Sequence, residues 1–453
     1  MWVNMAAEPF LLRGAMPGGD VMKVARPYYD DAHCGWLALL EPLSAANPLI
    51  GEARADWAVV GAGYAGVAAA RRLAELKPSA RILLIDGQRV GEGTSGRNSG
   101  FIIDLPHNVD AGNLDDLAAN RRTQRLNQAA ISDLRSLVQS HAIACDWTEG
   151  KKIHAAAEPQ GEAELERLAE GLRRMEVPFT EPNGDELSAM LGSGWYGRGL
   201  VTEGCVTVQP AALIRGLARA LPENVALHED SPIRDISRKA GGWELITPRG
   251  VAHVGQVILA ADALTRTFGL LKDRLVPVYT YASLSKPLPD IGGWPQWALL
   301  PAHKAGTTLR RLADGRILVR NSFRYGGDFR CTSDHLAQAR RSHEASFHAR
   351  WPRVDPGFQW TWGGVIGFTR NAAPFFGTFE PGLYGMAGSN GVGLAKGTIG
   401  GKLLAEMALG ETSELLSDML AYPPPNWVPP EPFLGIGASL RLGWEQFRAG
   451  REN

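Results

Sequence analysis

The stretch from Trp57 to Asp86, WAVVGAGYAGVAAARRLAELKPSARILLID, leaves a folding chain little choice. A short, mostly apolar run from Trp57 to Val60 meets Gly61, Gly63 and Gly66, spaced G-x-G-x-x-G with Tyr64 and Ala65 inside the motif. An alanine-rich helical pattern follows from Val67 to Pro78, and a second buried strand, Ile82 to Ile85, ends at Asp86. Each glycine has a physical reason. The first permits the tight turn, the second lets the backbone approach a pyrophosphate, and the third lets the helix press on the strand. Phosphates then sit on the free N–H groups at the helix start. Asp86 stands twenty residues past Gly66, where a carboxylate accepts hydrogen bonds from a ribose diol. It also repels a 2′-phosphate, which argues against a phosphorylated nicotinamide cofactor. The context predicts an adenine dinucleotide site; the bland alternative is a glycine-rich turn in an ordinary α/β core.

With 453 residues the chain has room for two domains with full cores. Lys+Arg 47 against Asp+Glu 48 leaves a net charge of −1, so no basic field points to nucleic acid. No apolar run approaches the roughly 18 residues needed to span a bilayer, so no transmembrane segment is expected. Residues 1 to 22 include Leu11 and Leu12 but have neither the apolar core nor the cleavage site of a signal peptide. Met22 is a candidate second start, which leaves Met1 to Val21 as an arm outside the fold. Cys34, Cys145, Cys205 and Cys331 are far apart, form no C-x-x-C pair, and fit reduced thiols of a cytoplasmic protein. His343 and His348 in SHEASFH are five residues apart rather than four, so they do not share the face a zincin helix needs and read as surface histidines. No paired carboxylates, metal cluster or Ser/His/Asp spacing stands out, so the hard chemistry falls to a cofactor.

Beyond Asp86, Gly87 and Gln88 lead to Thr94–Gly100, seven small or polar residues followed at once by Phe101, Ile102 and Ile103. Such a loop allows a second close backbone approach to a large ligand near the phosphate site, which a nicotinamide enzyme does not need. GAGYAG, Asp86 and the run Ser95, Gly96, Arg97, Asn98, Ser99, Gly100 together resemble the D-amino acid oxidase-like family of flavoproteins. Within it the loop is most similar to gamma-glutamylputrescine oxidase-type members, where S-G-R-N-G-G is usual; Ser99 replaces the first paired glycine. The resemblance implies FAD bound extended, with its adenosine on Asp86, Gly87 and Gln88 and its flavin ring near Ser95 to Gly100. Ile233 joins the implied cofactor contacts.

From Ala25 to Ala55, Tyr28, Tyr29, Trp36 and Leu37 precede a proline-broken tail and read as an arm packed over the body. Asp115 to His141 and Glu158 to Met175 have helical periodicity. Pro210 is placed to open a helix running to Leu221. Short strands are expected at Val225 to His228, Ile233 to Ser237, Trp243 to Thr247 and Val251 to Leu259. The last ends in Ala260, Ala261, Asp262 and Ala263, similar to the A-T-N/G-A turn at which family members bring backbone against FAD, although an ordinary β-turn gives the same pattern; Asp262 departs from the family. Leu275 to Ser285, Thr307 to Leu312 and Ile317 to Phe323 alternate in period two, as in a half-buried antiparallel sheet. In the family such a sheet roofs the flavin. Tyr279, Tyr281, Arg324 and Tyr325 are therefore pocket candidates, with plain core packing as the alternative for each.

A helix over Ser333 to Trp351 precedes a segment resembling the family's W-x-G … T-x-D-x-x-P-x-x-G strand pair, with Trp362, Gly364, Thr369, Pro374 and Gly377 matching and Asn371 in place of the acid. Tyr384 to Leu394 then reads as strand, glycine loop and helix, and matches the closing G-x-S-G-H-G motif. Gly388, Gly391 and Gly393 are kept, while Asn390 and Val392 stand for Ser and His. The resemblance places Trp362 and Val392 among the residues near the chemistry. Two glycine turns opening helices more than three hundred residues apart suit one long dinucleotide held at both ends. Some members hold a substrate carboxylate through a lysine after G-H-G; here that position is Ala395, and Lys396, one step further, is expected to point elsewhere. Arg324 or Arg370 is the substitute clamp, against a surface or ion-pair role. A cysteine used for covalent flavin attachment in some members aligns with Gly367, so FAD is expected to be non-covalent.

The expected fold is α/β: a Rossmann-like FAD-binding domain of the glutathione-reductase type, formed by residues 56–110, 200–265 and 358–412. It is interleaved with an α+β substrate domain, residues 111–199 and 266–357, containing an antiparallel sheet. Residues 1–55 form the N-terminal arm. Residues 413–453 supply a proline-rich connector and an amphipathic helix, whose stripe of Phe433, Ile436, Leu440, Trp444 and Phe447 docks on the body, on a sister subunit, or on a membrane surface or partner. The expected activity is oxidation of a C–N bond in an amine or amino acid: hydride passes to flavin N5, the imine hydrolyses, and oxygen is reduced to hydrogen peroxide. The rivals are a flavin dehydrogenase serving a quinone or carrier protein, a flavin-binding subunit without turnover, and a nicotinamide dehydrogenase.

Overall fold

Apolar runs and glycine turns build the first of two mixed sheets in the computed structural model, which describes residues 10–11, 21–25, 33–106 and 116–453. Tyr28 and Tyr29 of the expected arm, and Asp115 at the expected helix start, lie outside those residues. Strand Ile82–Ile85 is buried at every position and Gly51–Val60 is buried from Trp57 onward, as expected for parallel strands covered on both faces. Val225–His228, Ile82–Ile85, Gly51–Val60, Gly250–Leu259 and Leu383–Ala387 run parallel in that order. Gly51–Val60 begins six residues before the apolar run because its first half pairs with Gly250–Val254 where the sheet is half-exposed. A local apolar signal does not extend there. Asp235–Lys239 and Gly242–Ile246 continue from Gly250–Leu259 as an antiparallel meander, and Phe375–Glu380 runs antiparallel to Leu383–Ala387.

Helices Tyr64–Leu76 and Gly393–Ala408 cover this sheet side by side. Their contact is set by absent side chains. A Cβ on Gly401 would lie 2.0 Å from the Ala65 carbonyl oxygen, and one on Gly66 would lie 1.7 Å from that of Gly61. The two helices that open on the two glycine turns are therefore packed backbone to backbone.

The second sheet has nine strands, in the order Trp360–Thr369, Leu275–Leu284, Ile317–Tyr325, Thr308–Arg311, Trp297–Pro301, Thr148–Ala156, Arg198–Thr207 and Phe101–Ile102, with Phe179–Thr180 beside Arg198–Thr207. Trp297–Pro301 is buried at all five positions, and Thr148–Ala156 buries Lys152 and His154, so neither shows the alternation by which a half-buried strand is read. Two expected assignments are corrected by the pairing. Trp360–Thr369 and Phe375–Glu380 are not partners: the first pairs along its whole length with Leu275–Leu284, the second lies in the parallel sheet, and the chain crosses between sheets at Arg370–Pro374. Arg198–Thr207, expected in the cofactor domain, belongs to the second sheet, and the chain returns to the first through helix Pro210–Arg219. A strand's pattern reports which face is buried but not which neighbour it has.

Helix Ser333–Arg350 packs behind the second sheet, where Ser283 Oγ meets His343 Nδ1 at 2.7 Å. Burial pushes the His343 imidazole down to about 3, so it is neutral, and it is a core residue rather than the surface histidine the spacing suggested. No group of three metal-ligating side chains occurs among the described residues, and no described helix is long and apolar enough to cross a membrane.

Helix Phe433–Arg448 lies along Ile317–Tyr325, where the Gln446 side chain bonds both the N–H (2.9 Å) and the C=O (3.1 Å) of Phe323. The side it turns to the body carries buried Leu434 and Glu445 and half-buried Ala438, Leu442 and Gln446. Phe433, Ile436, Leu440, Trp444 and Phe447 are 67, 58, 70, 55 and 76% exposed, so the apolar stripe points outward rather than onto the body.

The backbone contacts make a paired prediction. Gly401→Ala should lower unfolding free energy by about 1–3 kcal/mol through overpacking. Gly443→Ala, where an added Cβ meets nothing within 4 Å, should raise it by about 0.5–1 kcal/mol. Denaturant titration of the two variants checks both signs.

Candidate functional site

A cavity of about 1190 Å³ is lined from both sheets. At one end are the glycine turn and the small-residue loop, with Gly63, Tyr64, Ala65, Ser95, Asn98 and Ser99 on its wall. Gly93 precedes a single helical turn, Thr94–Arg97, so the loop contains a turn of helix where an open loop was expected. Two indoles hold it from behind: Trp362 Nε1 donates to the Arg97 carbonyl at 2.9 Å and Trp36 Nε1 to that of Asn98 at 2.8 Å. The Thr94 hydroxyl donates to the Val365 carbonyl at 3.0 Å, and Ser95 Oγ accepts from the Tyr64 N–H at 3.3 Å. The loop thus joins the phosphate turn to the second sheet. Trp362, Arg97, Ala260 and Gly364 also reach the cavity.

Other motif residues act from outside the wall. Gly61, with φ +103°, leaves no room for a Cβ against the Ala260 carbonyl, and Gly96 is closer still to that of Gly91. Gly100, with φ +77°, sits against the Val208 carbonyl and the Arg310 guanidinium. Asp86 accepts from the N–H groups of Ala62 (2.6 Å) and Gln88 (2.8 Å), with Gly87 spanning them. Burial pushes its carboxyl up to about 6 against the pull of those two donors. Ile233 packs in the apolar cluster with Val60, Ile85 and Leu259, and Ala261 precedes a 3₁₀ segment, Asp262–Phe268, where an ordinary turn was the alternative.

At the far end Asn390, Gly391, Val392 and Gly393 line the cavity where helix Gly393–Ala408 begins. The departures from the family pattern do local work here. Asp262, at φ +42°, accepts from the N–H groups of Gly367 (3.0 Å), Gly388 (2.9 Å) and Ser389 (2.9 Å), and from the Ser389 hydroxyl at 3.2 Å. The Asn390 side chain accepts from the Thr369 N–H at 2.8 Å and donates to the carbonyls of Ala372 and Gly388. Asn371 bonds Pro424 O and Asn426 N of the proline-rich strap. Lys396 also lines the cavity, contrary to expectation, with its ammonium 5.9 Å from the Tyr422 ring centre; burial lowers it to about 8 while Asp262 opposes the shift.

The pocket candidates divide. Tyr281 lines the cavity, but Tyr279, Arg324 and Tyr325 do not. Val278, Thr280 and Ala282 take the cavity face of their strand, which sends Tyr279 and Tyr281 to the other face, where their rings stack with centroids 6.3 Å apart; the register shift at this point inserts Ser322 in the facing strand. Arg324 is occupied: its guanidinium lies 5.2 Å from the Tyr279 ring centre, Nε donates to the Tyr281 hydroxyl at 3.3 Å, and Nη1 donates to the Tyr325 carbonyl at 2.9 Å. Tyr325 bonds Glu431. Arg370 reaches the cavity from an exposed position. Arg320, Lys304 and Arg441, none of them singled out by the sequence, line it as well.

Residues 56–407 match the family model described as DAO, FAD dependent oxidoreductase. The chain belongs to that family. It is 27% identical over 393 residues to the probable oxidoreductase OrdL of Haemophilus influenzae, covering 81% of this chain and 86% of the relative. With the gamma-glutamylputrescine oxidoreductase of Escherichia coli it shares 24% over 406 residues, covering 85% and 91%. Among solved structures, glycine oxidase from Geobacillus kaustophilus superposes with a TM-score of 0.68 at 20% identity, covering 80% of this chain and 96% of that one. L-proline dehydrogenase from P. horikoshii superposes at 0.63 and 16%, covering 81% and 95%.

FAD is the family's cofactor, and the residues present fit it. Two helix starts with free N–H groups and glycine approaches face one elongated cavity, with a buried carboxylate behind the first. Were a ribose of FAD to donate to Asp86, as the sequence leads one to expect, binding would favour the ionised carboxylate and lower its pKa from about 6. Below that pH a proton must leave on binding. FAD affinity should therefore fall by up to about tenfold per pH unit below pH 6, and stay flat above it; fluorescence titration with FAD from pH 5 to 8 checks the sign.

Proposed function

We propose that this FAD-dependent oxidoreductase oxidises a C–N bond in an amine or amino acid, with oxygen as electron acceptor. The observation that carries the proposal is the single cavity joining the two glycine turns to the face of the second sheet formed by Thr280, Ala282, Ile366 and Phe368. Relatives named for glycine and for gamma-glutamylputrescine support the substrate class. Within the proposal, Gly63 to Ala65, Ser95 to Ser99 and Asn390 to Gly393 hold the cofactor. None of the described residues lining the cavity is a cysteine or histidine, which supports non-covalent attachment. Bound FAD supplies the hydride acceptor, and its reoxidation by oxygen yields hydrogen peroxide.

The chain's own contribution is orientation and electrostatics. The start of helix Gly393–Ala408 presents its positive dipole end, and Lys396 adds a cation, where negative charge develops. The apolar sheet face and the indole of Trp362 exclude water from the reacting C–H. Four free, buried cysteines support a cytoplasmic setting. A second reading, electron transfer to a quinone or carrier protein, is favoured by the outward apolar stripe on a helix whose Phe433, Gly437 and Arg441 line the cavity.

Anaerobic addition of an amine and amino-acid panel to the yellow protein separates these readings. Bleaching by one class, with colour and peroxide returning on admission of air, is the expected result. Bleaching without fast return of colour would move the assignment to the dehydrogenase, and no bleaching by any member would sink both.

A further inference from the structure

Of the nine large apolar side chains exposed among the described residues, five stand on helix Phe433–Arg448. Phe433, Ile436, Leu440, Trp444 and Phe447 follow one another at the three- and four-residue steps of a coiled-coil seam and make a strip about 21 Å long. The order of the steps, three, four, four and three, reads the same from either end. Leu440 is the midpoint, with Ile436 and Trp444 four residues to either side and Phe433 and Phe447 seven. Two copies laid antiparallel and centred on Leu440 therefore bring Leu440 to its own counterpart, Ile436 to Trp444 and Phe433 to Phe447. A two-fold contact demands this property, since each patch must meet itself.

The area agrees. A fully buried aromatic side chain covers about 150–250 Å², so Phe433, Trp444 and Phe447 at 55–76% exposure, with Ile436 and Leu440, offer roughly 550–750 Å². A stable pair takes about 800 Å² from each partner, and the exposed Ser439, Arg441 and Arg448 beside the stripe supply a polar rim. The largest apolar patch of an ordinary monomer is about 300–600 Å². This one is larger than a lone molecule needs to keep.

The charges fit a second copy better than a lipid surface. Arg441 is paired with Glu445 of its own helix, and that carboxylate is shared with Lys304 at 3.5 Å and His303 at 3.6 Å. Arg448 is then the helix's only other charge, whereas a helix that lies on anionic lipid carries a row of cations. Exposed Glu431 precedes the stripe and exposed Arg448 follows it. An antiparallel partner thus sets opposite charges together at both ends and opposes the two helix dipoles.

We infer that this stripe is the two-fold interface of a homodimer, each helix Phe433–Arg448 lying antiparallel on its counterpart with Leu440 on the axis. Phe433, Gly437 and Arg441 also line the cavity, so the second copy backs one wall of each active cavity. A stripe covered in this way is closed to a carrier protein. The interface stands whichever reaction the flavin performs.

Sedimentation equilibrium of the FAD-loaded full chain at about 50 µM, above the weak end for an interface of this area, should give twice the mass of one chain. Leu440→Glu, at an exposed position, sets two carboxylates against each other on the axis and should weaken association roughly a hundredfold or more, with FAD content and far-UV dichroism unchanged. Ile436→Cys and Trp444→Cys proteins, mixed, should be joined to each other by a short bismaleimide and neither to itself; the four native cysteines are buried and give no background. A monomer at every concentration, a dimer that Leu440→Glu leaves intact, or cross-linking of each cysteine variant only to itself would overturn the inference. A monomer that co-sediments with vesicles of phosphatidylglycerol and phosphatidylcholine, and is released by Leu440→Glu, would overturn it too and assign the stripe to a membrane surface.

Discussion

Three segments that lie far apart in sequence meet at one carboxylate. Asp262 receives the amide of Gly367 from the second sheet and those of Gly388 and Ser389 from the loop before the last long helix. Without it, three N–H groups beside the cavity would lack an acceptor, each a desolvation cost of roughly 1–3 kcal/mol. The carboxylate also ties the second sheet to the loop that leads into helix Gly393–Ala408. The left-handed backbone at Asp262 is the strain that this arrangement tolerates, since a short polar side chain is among the few that accept it.

The same logic explains why the site is built so largely from backbone. Glycines let the Tyr64–Leu76 and Gly393–Ala408 helices touch through main chain, and two tryptophan indoles fasten the Thr94–Arg97 turn by its carbonyls. Behind the wall, side chains hold donors and acceptors in position, while the wall itself combines the backbone of the glycine turns with larger side chains such as Tyr281, Trp362 and Lys396. A site of this kind is stiff before any ligand arrives.

How much was legible follows from this division. The glycine turn, Asp86 and the helix from Pro210 are local signals, and the residues that carry them sit next to one another in the chain. The pairing of Trp360–Thr369 with Leu275–Leu284 was not legible, because a period-two pattern says nothing about partners. Tyr279 and Arg324 were misplaced for a related reason: a period-two pattern separates the two faces of a strand but does not say which of them lines a cavity, and Tyr279 stands on the face away from it, its ring stacked on that of Tyr281. Asp262, Asn390 and Asn371 were legible only as departures from a pattern; their roles lie in hydrogen bonds to residues up to 127 positions away. Arg320 gave no signal at all, since what places it on the cavity wall is the register of its strand.

The distance along the chain between the two glycine turns bears on how the protein is made. Gly63 leaves the ribosome more than three hundred residues before Gly393, and the first parallel strands wait as long for Leu383–Ala387 to complete their sheet. At translation rates of about 5–20 residues per second, the nascent chain carries the first glycine turn without the second for tens of seconds. The strands it pairs are far apart in sequence, so closure of the sheet is a late event. A cavity with one end at Gly63 and the other at Gly393 is therefore complete only once both ends have met.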